Sequence, residues 1–103
     1  MKYIDKTDRK VYNIDFDGTL TDGLCYENLN PDYEMVQKVK ELYYGGNIII
    51  IWSARQWESA NIIAGWCIRY NVPFHGLMLG KGGTDCYVDD KAIHSKEFLK
   101  EDI

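Results

Sequence analysis

The stretch VYNIDFDGTL, residues 11–20, joins a short β-prone run to two carboxylates and a turn. Residues 11–16 form a short, mostly apolar and β-prone run, and the Asp17-Gly18 dipeptide is typical of a turn. The stretch therefore predicts a strand that ends beside Asp15 and Asp17. Because side chains two residues apart point to the same side of an extended chain, these carboxylates share one face. Their mutual repulsion is costly unless a cation or a proton lies between them.

Outward from this stretch, strands alternate with helices along the chain. We predict helices over residues 31–44, 56–70 and 95–99, and further strands over residues 47–52, 74–79 and 86–88. Asn30-Pro31 supplies a cap residue followed by a proline at the first helical position. The run at 47–52 is nearly all apolar, as in a strand buried on both faces. Alternating strands and helices indicate a single α/β domain with a short parallel sheet, arranged as a three-layer sandwich.

Polar residues fall at the carboxyl ends of these strands, the edge at which parallel sheets bind ligands. They are Asp15, Asp17, Ser53, Arg55, Asp89 and Asp90, with Lys81 in the loop after another strand. An oxygen-only ligand set suits Mg²⁺, which takes one or two carboxylates together with a substrate phosphate. A hydroxyl, a guanidinium and an ammonium suit the phosphate oxygens. The combination predicts phosphoryl transfer, with one aspartate as the nucleophile.

Four segments of the chain resemble, in order, the four motifs of the haloacid dehalogenase superfamily. They are VYNIDFDGTL at 11–20, IIIIWSAR at 48–55, the lysine at 81 and CYVDD at 86–90. The resemblance spans residues 11–90 and implies a minimal phosphatase without a cap domain, occupying residues 1–103 as one HAD-like, Rossmannoid unit. Only residues 80–85 fill the gap between the third-motif region and the fourth-motif strand, where the superfamily usually carries a helix.

The resemblance implies roles for the four aspartates. Asp15 would be the nucleophile and a Mg²⁺ ligand. Asp17 would be the general acid and base, with its backbone carbonyl also on the metal. Asp89 would bind Mg²⁺, and Asp90 would support it directly or through water.

The resemblance also implies roles for the phosphate-binding residues. Ser53 and Lys81 would hold the phosphoryl oxygens, and Gly18 would allow the chain to turn away beside the phosphate. A Ser-x-Arg sequence like that of Ser53 and Arg55 occurs in the polynucleotide 3′-phosphatase branch, where the arginine helps to bind the phosphate.

The composition restricts partners and compartment. Lys and Arg number 12 against 16 Asp and Glu, a net charge of −4. This balance argues against nucleic-acid binding and against a polybasic membrane patch. The longest aliphatic run, residues 48–51, is too short to span a bilayer, and residues 1–10 carry no apolar signal segment. Three cysteines without a CxxC pair predict a reducing, cytoplasmic setting. We expect Cys67 and Cys86 to be small buried hydrophobes.

The predicted function is Mg²⁺-dependent hydrolysis of a phosphomonoester through an aspartyl-phosphate. The resemblance implies a small sugar-phosphate or nucleotide-like substrate. Two alternatives stay open: a polynucleotide 3′-phosphatase, and a non-catalytic module that binds metal and phosphate. A chain of 103 residues leaves the active edge uncovered, so a neighbouring subunit could serve as its lid, and we predict a homo-oligomer.

Overall fold

A computed structural model describes residues 9–23, 29–82, 86 and 88–101 of the chain. Within these residues, a parallel sheet has the strand order β1-β2-β3. The strands are β1 (Val11–Asp15), β2 (Ile48–Trp52) and β3 (Gly76–Met78). Asp15 lies opposite Trp52, and Trp52 lies opposite Met78, so the carboxyl ends of the three strands are level.

Helices connect and flank the strands. They are α1 (Tyr33–Tyr44), α2 (Ala60–Arg69) and α3 (Ser95–Lys100). A wide π-type turn over Phe16–Leu20 follows β1, and a 3₁₀ turn over Trp57–Ser59 precedes α2. The predicted parallel α/β architecture is confirmed, and the arrangement is consistent with three layers. No helix in the described ranges is long and apolar enough to cross a bilayer.

The core lies between the sheet and the helices. β2 contributes Ile49 and Ile51, which are fully buried, whereas its other residues are only half-buried. The predicted burial on both faces of this strand is therefore complete on one face only. Phe16 is also fully buried, and its ring meets that of Trp66 edge to face at 5.1 Å between centroids. The indole of Trp66 donates a hydrogen bond to the carbonyl of Leu29 at 2.7 Å, so its polar atom is satisfied.

The start of α1 differs from the prediction. Asn30-Pro31 does not begin the helix, because Pro31 pairs with Thr21 in an antiparallel bridge. The cap is instead Asp32, whose side chain accepts a hydrogen bond from the backbone of Met35 at 3.1 Å. An aspartate in this position satisfies a backbone donor that the first turn leaves unpaired. Residues 24–28 of the predicted loop lie outside the described residues.

The buried face of α2 also differs from its expected composition. The sequence predicts a buried stripe at Ala60, Ile63, Ala64, Cys67 and Ile68. Ile68 is instead 76% exposed, and Trp66 is buried. At 3.6 residues per turn, Ile68 lies about 140° around the helix from the buried Ile63. The prediction that Ile68 is buried, which rested on its hydrophobicity, was therefore wrong.

The predicted strand over 86–88 is not formed by the described residues. Cys86 and Val88 lie outside any strand, and Tyr87 lies outside the described residues. Val88 is 95% exposed and Cys86 is exposed, so the expectation of a buried Cys86 was wrong. Strand propensity reflects packing against neighbours more than an intrinsic backbone preference, and these side chains have little packing.

Candidate active site at the carboxyl end of the sheet

The π-type turn places two carboxylates at the carboxyl end of β1. Asp15 is the last residue of the strand, and Asp17 is the second residue of the turn. Gly18 adopts a φ of +79°, a conformation that side chains with a Cβ rarely take. Its backbone N–H donates to Thr21 Oγ1 at 2.9 Å, and Thr21 N–H donates to Phe16 O at 3.1 Å. Gly18 therefore has the turning role expected from the sequence.

Asp15 faces an ammonium group supplied by the loop after β3. Lys81 Nζ lies 3.4 Å from Asp15 Oδ1, and the lysine side chain is 12% exposed against 39% for the aspartate. The ammonium also lies 4.9 Å from the ring centroid of Trp52. The other carboxylate oxygen, Asp15 Oδ2, accepts a hydrogen bond from Thr19 Oγ1 at 3.4 Å. Asp15 is thus held from two sides while more than a third of its side chain stays accessible.

Asp17 faces a guanidinium supplied by the segment after β2. Arg55 Nε and Nη2 each lie 2.9 Å from a different oxygen of Asp17, which makes the pair bidentate. The arginine side chain is 8% exposed and that of Asp17 is 33% exposed. The guanidinium lies 5.8 Å from the centroid of the Phe16 ring.

Ser53 is the first residue after β2 and is almost fully buried, at 1% exposure. Its Oγ accepts a hydrogen bond from the backbone N–H of Arg55 at 3.1 Å. Its backbone contacts the end of β3 and the loop that follows: its N–H donates to Met78 O at 2.9 Å, and its carbonyl accepts from Lys81 N at 3.0 Å. In the bond with Arg55 the Ser53 hydroxyl acts only as an acceptor. Because a hydroxyl can also donate, its O–H is still able to donate to a phosphoryl oxygen, as the sequence predicted.

The repulsion expected between the two carboxylates is offset by two side-chain cations, one facing each aspartate. The described structure brings six of the predicted site residues to one edge of the sheet. They are Asp15, Asp17, Gly18, Ser53, Arg55 and Lys81.

The other two predicted metal ligands, Asp89 and Asp90, are exposed. Asp89 Oδ1 instead accepts a hydrogen bond from Lys91 N at 2.7 Å. Among the described residues, no group of three or more His, Cys, Asp and Glu side chains could hold a metal ion. Residues 83–85, which join this segment to the sheet, lie outside the described residues.

Three neighbours of the site were missed by sequence reasoning. Thr19 contacts Asp15, Trp52 lies beside Lys81, and Phe16 lies beside the Arg55 guanidinium. Thr19 lies within the DGT turn, so its position four residues after Asp15 was a usable signal. The aromatic neighbours carried no such signal, because apolar residues in strands are ordinarily core residues.

Comparison with known proteins gives a structural match. No protein-family model and no curated protein matches the chain. A crystal structure of a structural-genomics target from Vibrio cholerae is similar, with a TM-score of 0.80 and 27% sequence identity. The match covers 91% of this chain and 90% of that one, so the same α/β architecture extends over nearly the whole of both.

Proposed function

We propose that the chain is a Mg²⁺-dependent phosphomonoester hydrolase with a HAD-like fold and site, acting through an aspartyl-phosphate. The observation that carries this proposal is the pair Asp15 and Asp17 at the carboxyl end of β1, each facing a cation from another loop. A nucleophile needs access to its substrate, and Asp15 is 39% exposed. Ammonium and guanidinium groups beside carboxylates suit a reaction that moves a dianionic phosphoryl group.

In the first step, a carboxylate oxygen of Asp15 attacks phosphorus as the bond from phosphorus to the ester oxygen breaks. Asp17 gives its proton to that oxygen, so the leaving group departs as an alcohol. Lys81, beside Asp15, neutralises charge on the phosphoryl oxygens, and the Ser53 hydroxyl donates to one of them.

In the second step, water attacks the phosphorus of the aspartyl-phosphate. Asp17, now ionised, takes a proton from that water, and the bond between Asp15 and phosphorus breaks. Inorganic phosphate leaves, Asp15 is again a carboxylate, and Asp17 again holds its proton. Atoms and charges therefore balance over the cycle.

The donor chemistry of the site fits Mg²⁺, because Asp15 and the backbone carbonyl of Asp17 offer oxygen ligands and Mg²⁺ needs few from the protein. Bound there, the metal would supply charge neutralisation at the phosphoryl group. Asp89 and Asp90 stay proposed contributors, since the segment that connects them to the sheet is outside the described residues.

The substrate we propose is a small phosphomonoester, a sugar phosphate or nucleotide-like molecule. The net charge of −4 disfavours a long polyanion, which needs many cationic contacts along its backbone. The cytoplasmic location and the homo-oligomer stay predictions from the sequence.

The test is hydrolysis of p-nitrophenyl phosphate, of a panel of sugar phosphates and of a 3′-phosphorylated oligonucleotide, with Mg²⁺ and with a chelator. We expect turnover that needs Mg²⁺ and is lost in Asp15→Asn, together with an acyl phosphate that hydroxylamine traps in the unaltered chain. The matched control is Glu97→Gln, a carboxylate on α3 that pairs with Lys100 at 3.5 Å, and it should leave turnover unchanged.

Three results would contradict the proposal in different ways. No turnover of any ester in the presence of Mg²⁺ excludes the hydrolase and favours a binding module. Undiminished turnover in Asp15→Asn excludes the aspartyl-phosphate. Preference for the oligonucleotide over every sugar phosphate favours the polynucleotide 3′-phosphatase.

A further inference from the structure

The contact between Arg55 and Asp17 is the best-defined ion pair of the site. Both oxygens of the carboxylate accept from the guanidinium, at 2.9 Å each. The edge of the guanidinium that carries Nε and Nη2 is the one that forms planar forks with carboxylates or phosphates. In this structure that edge is directed at Asp17.

The rest of Arg55 is fixed by its surroundings. Its backbone N–H donates to Ser53 Oγ at 3.1 Å, and its carbonyl accepts from Gly80 N at 2.9 Å. Its side chain is 8% exposed and lies beside the buried ring of Phe16. A guanidinium with so little access to water is costly unless its N–H groups find acceptors, and the two oxygens of Asp17 accept from two of them.

The sequence alone suggested a different role, in which Arg55 binds the phosphate of the substrate. We propose instead that Arg55 is a positioning residue for Asp17, which holds the acid and base of the hydrolase in the orientation that reaches the ester oxygen. This inference rests on the proposed function. A carboxylate has about four lone-pair sites, and the fork uses one on each oxygen, so the second site on either oxygen can carry the transferred proton.

The two roles differ in how they depend on the leaving group. An alkoxide needs a proton as it departs, whereas a dinitrophenolate is stable without one. If Arg55 acts through Asp17, its loss slows alkyl esters far more than dinitrophenyl esters. If Arg55 binds the phosphate, its loss slows both esters alike and weakens the binding of inorganic phosphate.

The experiment compares the unaltered chain with Arg55→Gln and Arg55→Lys on 2,4-dinitrophenyl phosphate and propyl phosphate, with Mg²⁺ present. For Arg55→Gln we expect kcat on propyl phosphate to fall roughly 10- to 100-fold, a part of what acid–base catalysis contributes. On the dinitrophenyl ester we expect less than about a 3-fold change, within the range of an unassisted leaving group. KM and the inhibition constant of inorganic phosphate should not change, and Arg55→Lys, which keeps the charge, should recover part of the loss.

The matched control is Arg69→Gln, because Arg69 is exposed on α2 and lies beside Tyr70, with 5.6 Å between its guanidinium and the ring centroid. It should change neither ester. In an Asp17→Asn background, Arg55→Gln should cause no further loss on propyl phosphate, since both changes then remove the same contribution. If Arg55→Gln does not fold, as judged by urea unfolding, the comparison is made with Arg55→Lys.

Equal losses on both esters, with a raised inhibition constant for phosphate, would assign Arg55 to the phosphate and overturn the inference. Unchanged kinetics on both esters in both variants would overturn it as well. In either case the unaltered chain still hydrolyses esters, so the proposed function survives. Hydrolysis of neither ester by the unaltered chain would instead remove the proposed function and this role together.

Discussion

Phe16 connects the core of the protein to its candidate site. In the sequence it lies between Asp15 and Asp17, and its ring is buried in the core. The ring is fully buried, meets Trp66 edge to face, and lies 5.8 Å from the Arg55 guanidinium. We predict that Phe16→Leu, which keeps an apolar side chain but removes the ring, lowers both the stability of the fold and the rate of hydrolysis.

The stability loss can be worked out from the contacts of the ring. The edge-to-face pair with Trp66 contributes about 1 kcal/mol, and the contact with the guanidinium about 1 kcal/mol. The smaller apolar surface of leucine costs about 1 kcal/mol more. The sum of about 3 kcal/mol is a large part of the ~5–15 kcal/mol by which an ordinary domain is stable.

The assay is urea unfolding followed by tryptophan fluorescence, with the free energy taken from the midpoint and the slope. Phe98→Leu is a matched control on α3. Its ring is also buried, lies 5.8 Å from Tyr12 and has the ammonium of Lys38 at 5.5 Å. Both variants should lose similar stability, but only Phe16→Leu should slow hydrolysis, because only Phe16 supports Arg55.

A loss below about 1 kcal/mol in Phe16→Leu would refute the ring-contact reasoning, because it is less than the aromatic pair and the cation contact together. Equal slowing of hydrolysis by the two variants would refute the link between the ring and the site. The unfolding measurement stands whether or not the chain is a hydrolase.

Two further predictions concern residues away from the site. Burial raises the pKa of the Cys67 thiol from 9.0 to about 12, so Cys67 should resist iodoacetamide at pH 9 while the exposed Cys86 reacts, as read by peptide mass spectrometry. Since only the unfolded thiol ionises between those values, the free energy of unfolding should fall by roughly 1.4 kcal/mol per pH unit above pH 9, and Cys67→Val should flatten that slope; equal alkylation of both cysteines would contradict the burial. Asp32→Ala should lower the free energy of urea unfolding by about 1 kcal/mol by removing the cap of α1, whereas Asp32→Asn should keep most of it, and an equal loss in both would show that the cap hydrogen bond is not the cause.

The sequence predicted the elements that depend on local patterns. The apolar run of β2, the strand that ends at Asp15 and the amphipathic helix α1 all follow from the spacing of their side chains. The prediction was wrong where competing local signals exist. Asn30-Pro31 looked like a helix start, yet Asp32 supplies the cap because the chain before it pairs with Thr21.

The sequence predicted residues of the candidate site, but it did not predict which of them contact each other. The sequence placed Asp15, Asp17, Ser53, Arg55 and Lys81 at strand ends, and the level ends of the parallel strands bring them to one edge. It also placed Asp89 and Asp90 there, which stays a prediction, because residues 83–85 and 87 lie outside the described residues. That part of the prediction depended on a strand over 86–88, whose formation requires a neighbouring strand as partner.

By itself, the sequence determined where the strands end and which polar residues lie at those ends. These ends are set by apolar runs and turn dipeptides that lie within a few residues of one another. Only the tertiary structure decided which charges meet. Asp17 and Arg55 are 38 residues apart, and Asp15 and Lys81 are 66 residues apart. Such contacts depend on how the strands align and on where a buried guanidinium can find a partner, so Arg55 binds an aspartate in a place where its motif suggested a phosphate.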